Sequence, residues 1–128
     1  MPFMLDTNVA IHLRDGDPQV IDRIEALDDD VSLSIVTRVE LEGGILRDPA
    51  RAEVRRVRLE SMLRTLPTVP FDDTAADAYR EILNVVGFSR RKVLDRMIAA
   101  QALVRRATLV TLSADDFRDV PGLSLLEW

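Results

Sequence analysis

The sequence predicts an α/β fold, a three-layer sandwich in which a mostly parallel central sheet is flanked by helices. Three observations carry that expectation. Short apolar runs at residues 3–5, 31–36 and 108–112 have strand character, and each gives way to polar or acidic positions. Segments of helical period separate these runs, and such alternation implies right-handed βαβ crossovers and a parallel sheet. No linker, repeat or low-complexity stretch interrupts the 128 residues, so residues 1–128 read as one domain.

Taken in order, Phe3-Met4-Leu5 ends abruptly at Asp6-Thr7-Asn8. The spacing Val9, Ile11, Leu13 then predicts a short helix, stopped by Asp15-Gly16-Asp17-Pro18. Val20, Ile21, Ile24 and Leu27 predict a second helix over about 18–27. Residues 31–36 alternate as a strand, and Thr37-Arg38-Val39-Glu40 opens a third helix. The pair Gly43-Gly44 early in that helix suggests close packing or a bend. Residues 49–66 are helical and basic, and residues 68–71 are a brief extended piece that Pro70 confines to an edge. Asp72-Asp73-Thr74 caps a helix ending near Gly87. Ser89-Arg90-Arg91-Lys92 is a polar loop, 95–107 a helix and 108–112 a strand. Asp115-Asp116-Phe117 makes a turn, and 123–126 offer a last strand.

Composition narrows the chemistry. With no cysteine, a disulfide scaffold, a thiolate zinc site and a cysteine nucleophile are all excluded. The first residues, Met1-Pro2-Phe3-Met4-Leu5-Asp6, have neither a basic leader nor an apolar run of signal-peptide or membrane length, so a cytoplasmic protein with no membrane partner is expected. A net charge of −5 argues against holding nucleic acid by bulk electrostatics alone. It leaves room for a nuclease whose acids bind divalent cations, because the cations reverse the local charge.

Four acidic positions stand out, and each has a structural explanation. Asp6 sits where a helix N-cap is expected. Thr37-x-x-Glu40 has the form of a capping box. Asp95 precedes Met97-Ile98-Ala99-Ala100 as another N-cap, and Asp115 and Asp116 lie in a turn. Their joint placement says more. In a parallel sheet the strand C-terminal ends and the following helix N-termini share one edge, where ligand sites form. Asp6, Glu40 and Asp115/Asp116 all follow strands and fall on that edge. Asp95 joins them if its helix begins there. It also tops an apolar stripe through Ile98, Ala99 and Ala102. Carboxylates crowded together repel one another, and a hard cation such as Mg²⁺ or Mn²⁺ relieves that repulsion. Phosphodiester hydrolysis is the chemistry such a site suits.

These residues carry a family resemblance. Leu5-Asp6-Thr7-Asn8, Thr37-x-x-Glu40-Leu41, Asp95-Arg96-Met97-Ile98-Ala99-Ala100 and Leu109-Val110-Thr111 followed by Asp116-Phe117 resemble the ordered motifs of PIN-domain ribonucleases. The ending, Val120-Pro121-Gly122-Leu123 through Glu127-Trp128, resembles that of VapC-type toxins. The resemblance implies an RNA-cleaving toxin dependent on Mg²⁺, with Mn²⁺ as the alternative. It further implies inhibition by a VapB-type antitoxin, a homodimer, and contact with operator DNA only through the antitoxin. It makes Asp6, Glu40 and Asp95 the acidic core, Asp116 the fourth acid with Asp115 as alternative, and Thr7, Asn8 and Thr111 polar supports. The chain departs from the family where Leu112-Ser113 replaces an asparagine pair and where Arg91-Lys92-Val93-Leu94 approaches the third acid.

Other residues are assigned lesser parts. His12, the only histidine, is expected at the surface. Arg90, Arg91 and Lys92 are candidates to steer phosphate toward the acids, whereas the arginines from Arg47 to Arg64 interleave with Glu53 and Glu60 as a solvated face. Trp128 is expected to anchor the tail, and the helices over 21–27 or 54–63 to supply a dimer interface. Two competing functions are a PIN-like binding module with a spoiled site and an aspartyl-phosphate phosphatase or receiver domain. The phosphatase wants a second aspartate where Asn8 stands. The receiver wants a lysine after the last strand, and Lys92, the only lysine, lies elsewhere.

Overall fold

A computed structural model describes residues 1–128. Five strands form one sheet in the order β3-β2-β1-β4-β5: β1 (Phe3–Leu5), β2 (Val31–Ser34), β3 (Thr68–Val69), β4 (Thr108–Thr111) and β5 (Ser124–Glu127). Every pairing is parallel. Six helices surround it: α1 (Thr7–Arg14), α2 (Pro18–Glu25), α3 (Ile35–Ile45), α4 (Ala52–Thr65), α5 (Asp73–Val86) and α6 (Val93–Val104).

Strand alternation divides the core between two faces. Met4 and Leu109 point to one side, where Ile98, Ala99, Ala102, Ile82 and Phe117 fill the layer beneath α5 and α6. Leu5, Leu33 and Val110 point to the other, against Val9, Leu41, Leu59 and Met62 from α1, α3 and α4. The small side chains Ala99, Ala100 and Ala102, all fully buried, let α6 lie close on the sheet. The chain winds outward from β1 in both directions, so the strand order reverses between β1 and β4. A crevice at the carboxyl ends of the strands forms at such a reversal.

Local details refine the sequence reading. β2 stops at Ser34, whose hydroxyl accepts from the Val36 N–H and caps α3; the helix therefore starts two residues before Thr37. The capping box at Thr37 and Glu40 does not exist, because both residues lie inside the helix. Asp95 is likewise no N-cap: a 3₁₀ turn over Arg90–Lys92 leads into α6, placing Asp95 within the first helical turn. Asp72 caps α5 as expected, accepting from the Ala75 N–H at 2.9 Å, and Gly87 ends it at φ +76°. Trp128 ties down the tail: its N–H reaches the Thr111 carbonyl at 3.0 Å, and Arg23 sits over its ring.

Close packing does not explain the paired glycines. A Cβ at Gly43 or Gly44 meets nothing within 4 Å, and neither has a positive φ. Gly43 is exposed in the body of α3, so Gly43→Ala should stabilise the fold by about 0.5–1 kcal/mol through helix propensity. A chemical denaturation midpoint that fell in this variant would mean that the glycine answers a constraint outside the monomer.

Candidate metal centre

The C-terminal end of β1 delivers Asp6 to the crevice between β1 and β4. Its N–H continues the sheet to the Val110 carbonyl at 2.9 Å, so the backbone is fixed before the side chain is considered. The residue is 4% exposed. A carboxylate so removed from water needs donors, and it has two. Oδ1 accepts from the Thr7 N–H at 2.8 Å, capping α1, and Oδ2 accepts from the Thr111 hydroxyl at 2.8 Å.

The neighbouring acid is positioned by hydroxyls. Thr7 Oγ1 donates to Glu40 Oε1 at 2.8 Å and lies 2.9 Å from Thr37 Oγ1. Thr7 has one hydroxyl proton, which Glu40 takes, so Thr37 donates to Thr7. The fully buried Thr37 thus orients Glu40 through Thr7. The i, i+3 spacing that resembles a capping box is also the spacing that puts Thr37 and Glu40 on one face of α3. On the other side Ser113 takes a part that the sequence reading missed. Its N–H donates to Thr111 Oγ1 at 2.9 Å and its hydroxyl accepts from Asn8 Nδ2 at 3.0 Å. Asn8 Oδ1 in turn accepts from the Leu112 N–H at 3.3 Å. The loop after β4 is therefore tied to α1 without an asparagine pair.

Asp95 and Asp116 complete the group. Burial is the main influence raising the Asp95 pKa, and the charges of Asp116 and Glu40 raise it further, while Arg96 and Lys92 pull it down. Asp116 is exposed at the end of a 3₁₀ turn over Ala114–Asp116. Asp115 faces away: its side chain is 93% exposed and pairs with Arg118, which also holds Glu127. Of the two turn acids, Asp116 is the one whose charge reaches Asp95. Asp6 feels its surroundings most. Burial pushes its pKa up to about 6, the Thr111 and Thr7 hydrogen bonds oppose the rise, and Asp95 and Glu40 add to it.

The donor set suits a hard cation. Carboxylate and hydroxyl oxygens converge here, with no cysteine in the chain and the only imidazole, His12, on the last turn of α1 beside Asp17. No three acids close around one point as a ready-made cage. A cation held here by one or two carboxylates would keep several of its waters, as Mg²⁺ does. Arg90 and Arg91 are exposed on the turn before α6, and Lys92 is close enough for its charge to act on Asp95.

A parallel α/β sheet with acids gathered at its switch point defines the class, an α/β domain built around an oxygen-rich acidic centre. The chain belongs to the PIN domain family, whose model matches residues 3–123. It is 25% identical to ribonuclease VapC2 of Rickettsia felis, over all of this chain and 98% of that protein. Among solved structures it resembles VapBC2 of Rickettsia felis bound to a promoter DNA fragment (TM-score 0.88, 25% identity, 100% of this chain and 99% of that one). DNA-bound VapBC of Salmonella typhimurium is similarly close (TM-score 0.87, 27% identity, 100% and 98%). FitAcB of Neisseria gonorrhoeae matches with a TM-score of 0.81 at 27% identity, over 98% and 96%. No helix is long and apolar enough to cross a membrane.

The raised pKa has a consequence for stability. Between the unfolded value of 3.8 and the folded value of about 6, the native state holds a proton on Asp6 that the unfolded chain releases. Stability from this group is therefore fully present below the lower value and is lost as pH rises through the upper one, by up to about 3 kcal/mol. Without metal, Tm should fall more between about pH 4 and about pH 7 in the wild type than in Asp6→Asn, which cannot ionise. Parallel curves for the two proteins would show that Asp6 ionises normally.

Proposed function

We propose that this protein is a metal-dependent endoribonuclease acting as the toxin of a toxin–antitoxin pair, with Asp6, Glu40, Asp95 and Asp116 as its acidic centre. The observation that carries this reading is the convergence of these acids on the β1/β4 crevice, with hydroxyls on Asp6 and Glu40 and no salt bridge to any of the four. A structural network would neutralise its carboxylates with arginine. Here most of the charge is left for a cation to neutralise.

Asp6, Asp95, Glu40 and Asp116 would hold the cation, directly or through water. Bound there, Mg²⁺ or Mn²⁺ polarises a phosphoryl oxygen and lowers the pKa of a water. A bound cation would favour the ionised form of Asp6 against the burial that raises its pKa, because a ligand carboxylate must be ionised. Thr7 holds Glu40 by Oε1, leaving Oε2 to accept a proton from the attacking water. Arg90, Arg91 and Lys92 hold RNA phosphates beside the centre. Thr111 and Asn8 keep Asp6 and the β4 loop in register.

The similarity to VapC2 and to VapBC complexes supports a VapB-type antitoxin as partner in the cytoplasm. An antitoxin arginine would pair bidentately with the acids and block the cation. A groove of about 510 Å³ between α1, α2 and α4, lined by Leu13, Ile21, Ile24 and Met62, offers apolar footing for the rest of such a segment. Operator DNA would be met through the antitoxin, and the toxin would act as a homodimer.

The purified protein should cleave structured RNA with Mg²⁺ or Mn²⁺ and stop on chelation. Asp95→Ala should lose orders of magnitude in rate and the Mg²⁺-dependent rise in Tm, while its metal-free Tm holds or rises as repulsion is removed. A destabilised but fully active Asp95→Ala protein would reduce Asp95 to a first-turn helix acid, worth about 0.3–1 kcal/mol.

A further inference from the structure

Next to the acidic centre lies an ion pair that the proposed chemistry does not use. Arg96 follows Asp95 on α6, and its side chain is 5% exposed. Its guanidinium donates twice to Asp119, Nη1 to Oδ1 at 2.7 Å and Nη2 to Oδ2 at 2.8 Å. Nε is buried and has no acceptor in the protein. A buried arginine with an unsatisfied donor is a poor way to stabilise a core, since an apolar residue of similar volume would avoid the penalty. What the pair does accomplish is geometric. It joins the helix carrying Asp95 to the segment carrying Asp116, each partner within three residues of its acid.

Ser113 ties that segment to α1 and Arg118 ties it to β5, but neither bond fixes it to α6. Asp116 makes no hydrogen bond of its own through its side chain, and the 3₁₀ turn beneath it has no side-chain cap. Phe117 and Val120 anchor it in the core from below. They fix its depth, whereas a bidentate guanidinium–carboxylate fork also fixes direction. We propose that Arg96 and Asp119 are positioning residues, a clasp that sets the distance between Asp95 and Asp116 so that both can serve one cation. The inference rests on the metal-centre reading above.

The two halves of the clasp carry opposite charges, and this separates positioning from simple electrostatics. Arg96→Gln removes a positive charge near the acids, and Asp119→Asn removes a negative one. If only charge mattered, the first would strengthen Mn²⁺ binding, the second would weaken it, and the double variant would bind as the wild type does. The clasp requires that both single variants weaken Mn²⁺ about tenfold, as outer-shell changes around metal sites do, and that the double variant stay weak. Mn²⁺ affinity measured by calorimetry, on proteins whose circular dichroism matches the wild type, decides between them. Asp119 is half exposed, so Asp119→Asn and a milder Arg96→Lys keep the test available should Arg96→Gln not fold. Arg96→Lys, which keeps the charge and loses the fork, should also bind weakly. Wild-type affinity in Asp119→Asn, or restored affinity in the double variant, would overturn the clasp and leave the metal centre standing. A wild type that binds no Mn²⁺ would overturn both.

Discussion

A carboxylate that leaves water at the end of a buried strand must be met by donors fixed in advance, and Asp6 is held at three points by two elements. Its backbone pairs with β4, one carboxylate oxygen caps α1, and the other is held by Thr111 at the end of β4. These contacts close the crevice where the strand order reverses. Much else depends on them. The start of α1 is set by Asp6, which places Thr7, and Thr7 places Glu40 on a different helix. The loop after β4 is set by Thr111, which through Ser113 and Asn8 returns to α1. One side chain thus couples the central strands to both halves of the site.

The energetic character of the centre follows from its chosen donors. One hydroxyl and one backbone N–H lower the Asp6 pKa only partly, and burial wins. The nearest guanidinium, on Arg96, is occupied by Asp119, so its charge only partly relieves Asp95. A centre that is strained when fully ionised and relaxed by a proton or a cation is the electrostatic counterpart of a metal site in its free state. The basic residues at the turn before α6 lie outside it, where they can draw an anionic strand inward without filling the centre themselves.

Much of this was legible in the sequence, and the reasons differ by residue. Asp6 was legible because strand-acid-helix is a short-range pattern, and parallel topology carries it to a known edge. Glu40 and Asp95 were legible as site candidates but mistaken locally for caps. Ser34 takes the capping role two residues earlier than the apolar pattern suggests, and a 3₁₀ turn advances α6 past its expected start. The choice between Asp115 and Asp116 hinged on Arg118, whose reach to Asp115 and Glu127 depends on how the last strand docks. Thr37, Ser113, Arg96 and Asp119 were not read as site residues, since their roles arise from contacts across 23 or more positions or from a hydroxyl relay. Close packing, one of two meanings offered for the glycine pair, fails because Cβ clearance is a property of the surroundings, which a single chain of letters does not display.

The central claim is that burial holds the Asp6 carboxyl well above the ordinary aspartate range and that a cation in the centre brings it down again. Carbon-13 NMR of its side-chain carboxyl across pH reads this directly. The account predicts a midpoint of about 6 in the metal-free protein, moving to lower pH as Mg²⁺ is added, because the cation competes with the proton. A midpoint near the ordinary 3.8 that ignores Mg²⁺ would contradict it.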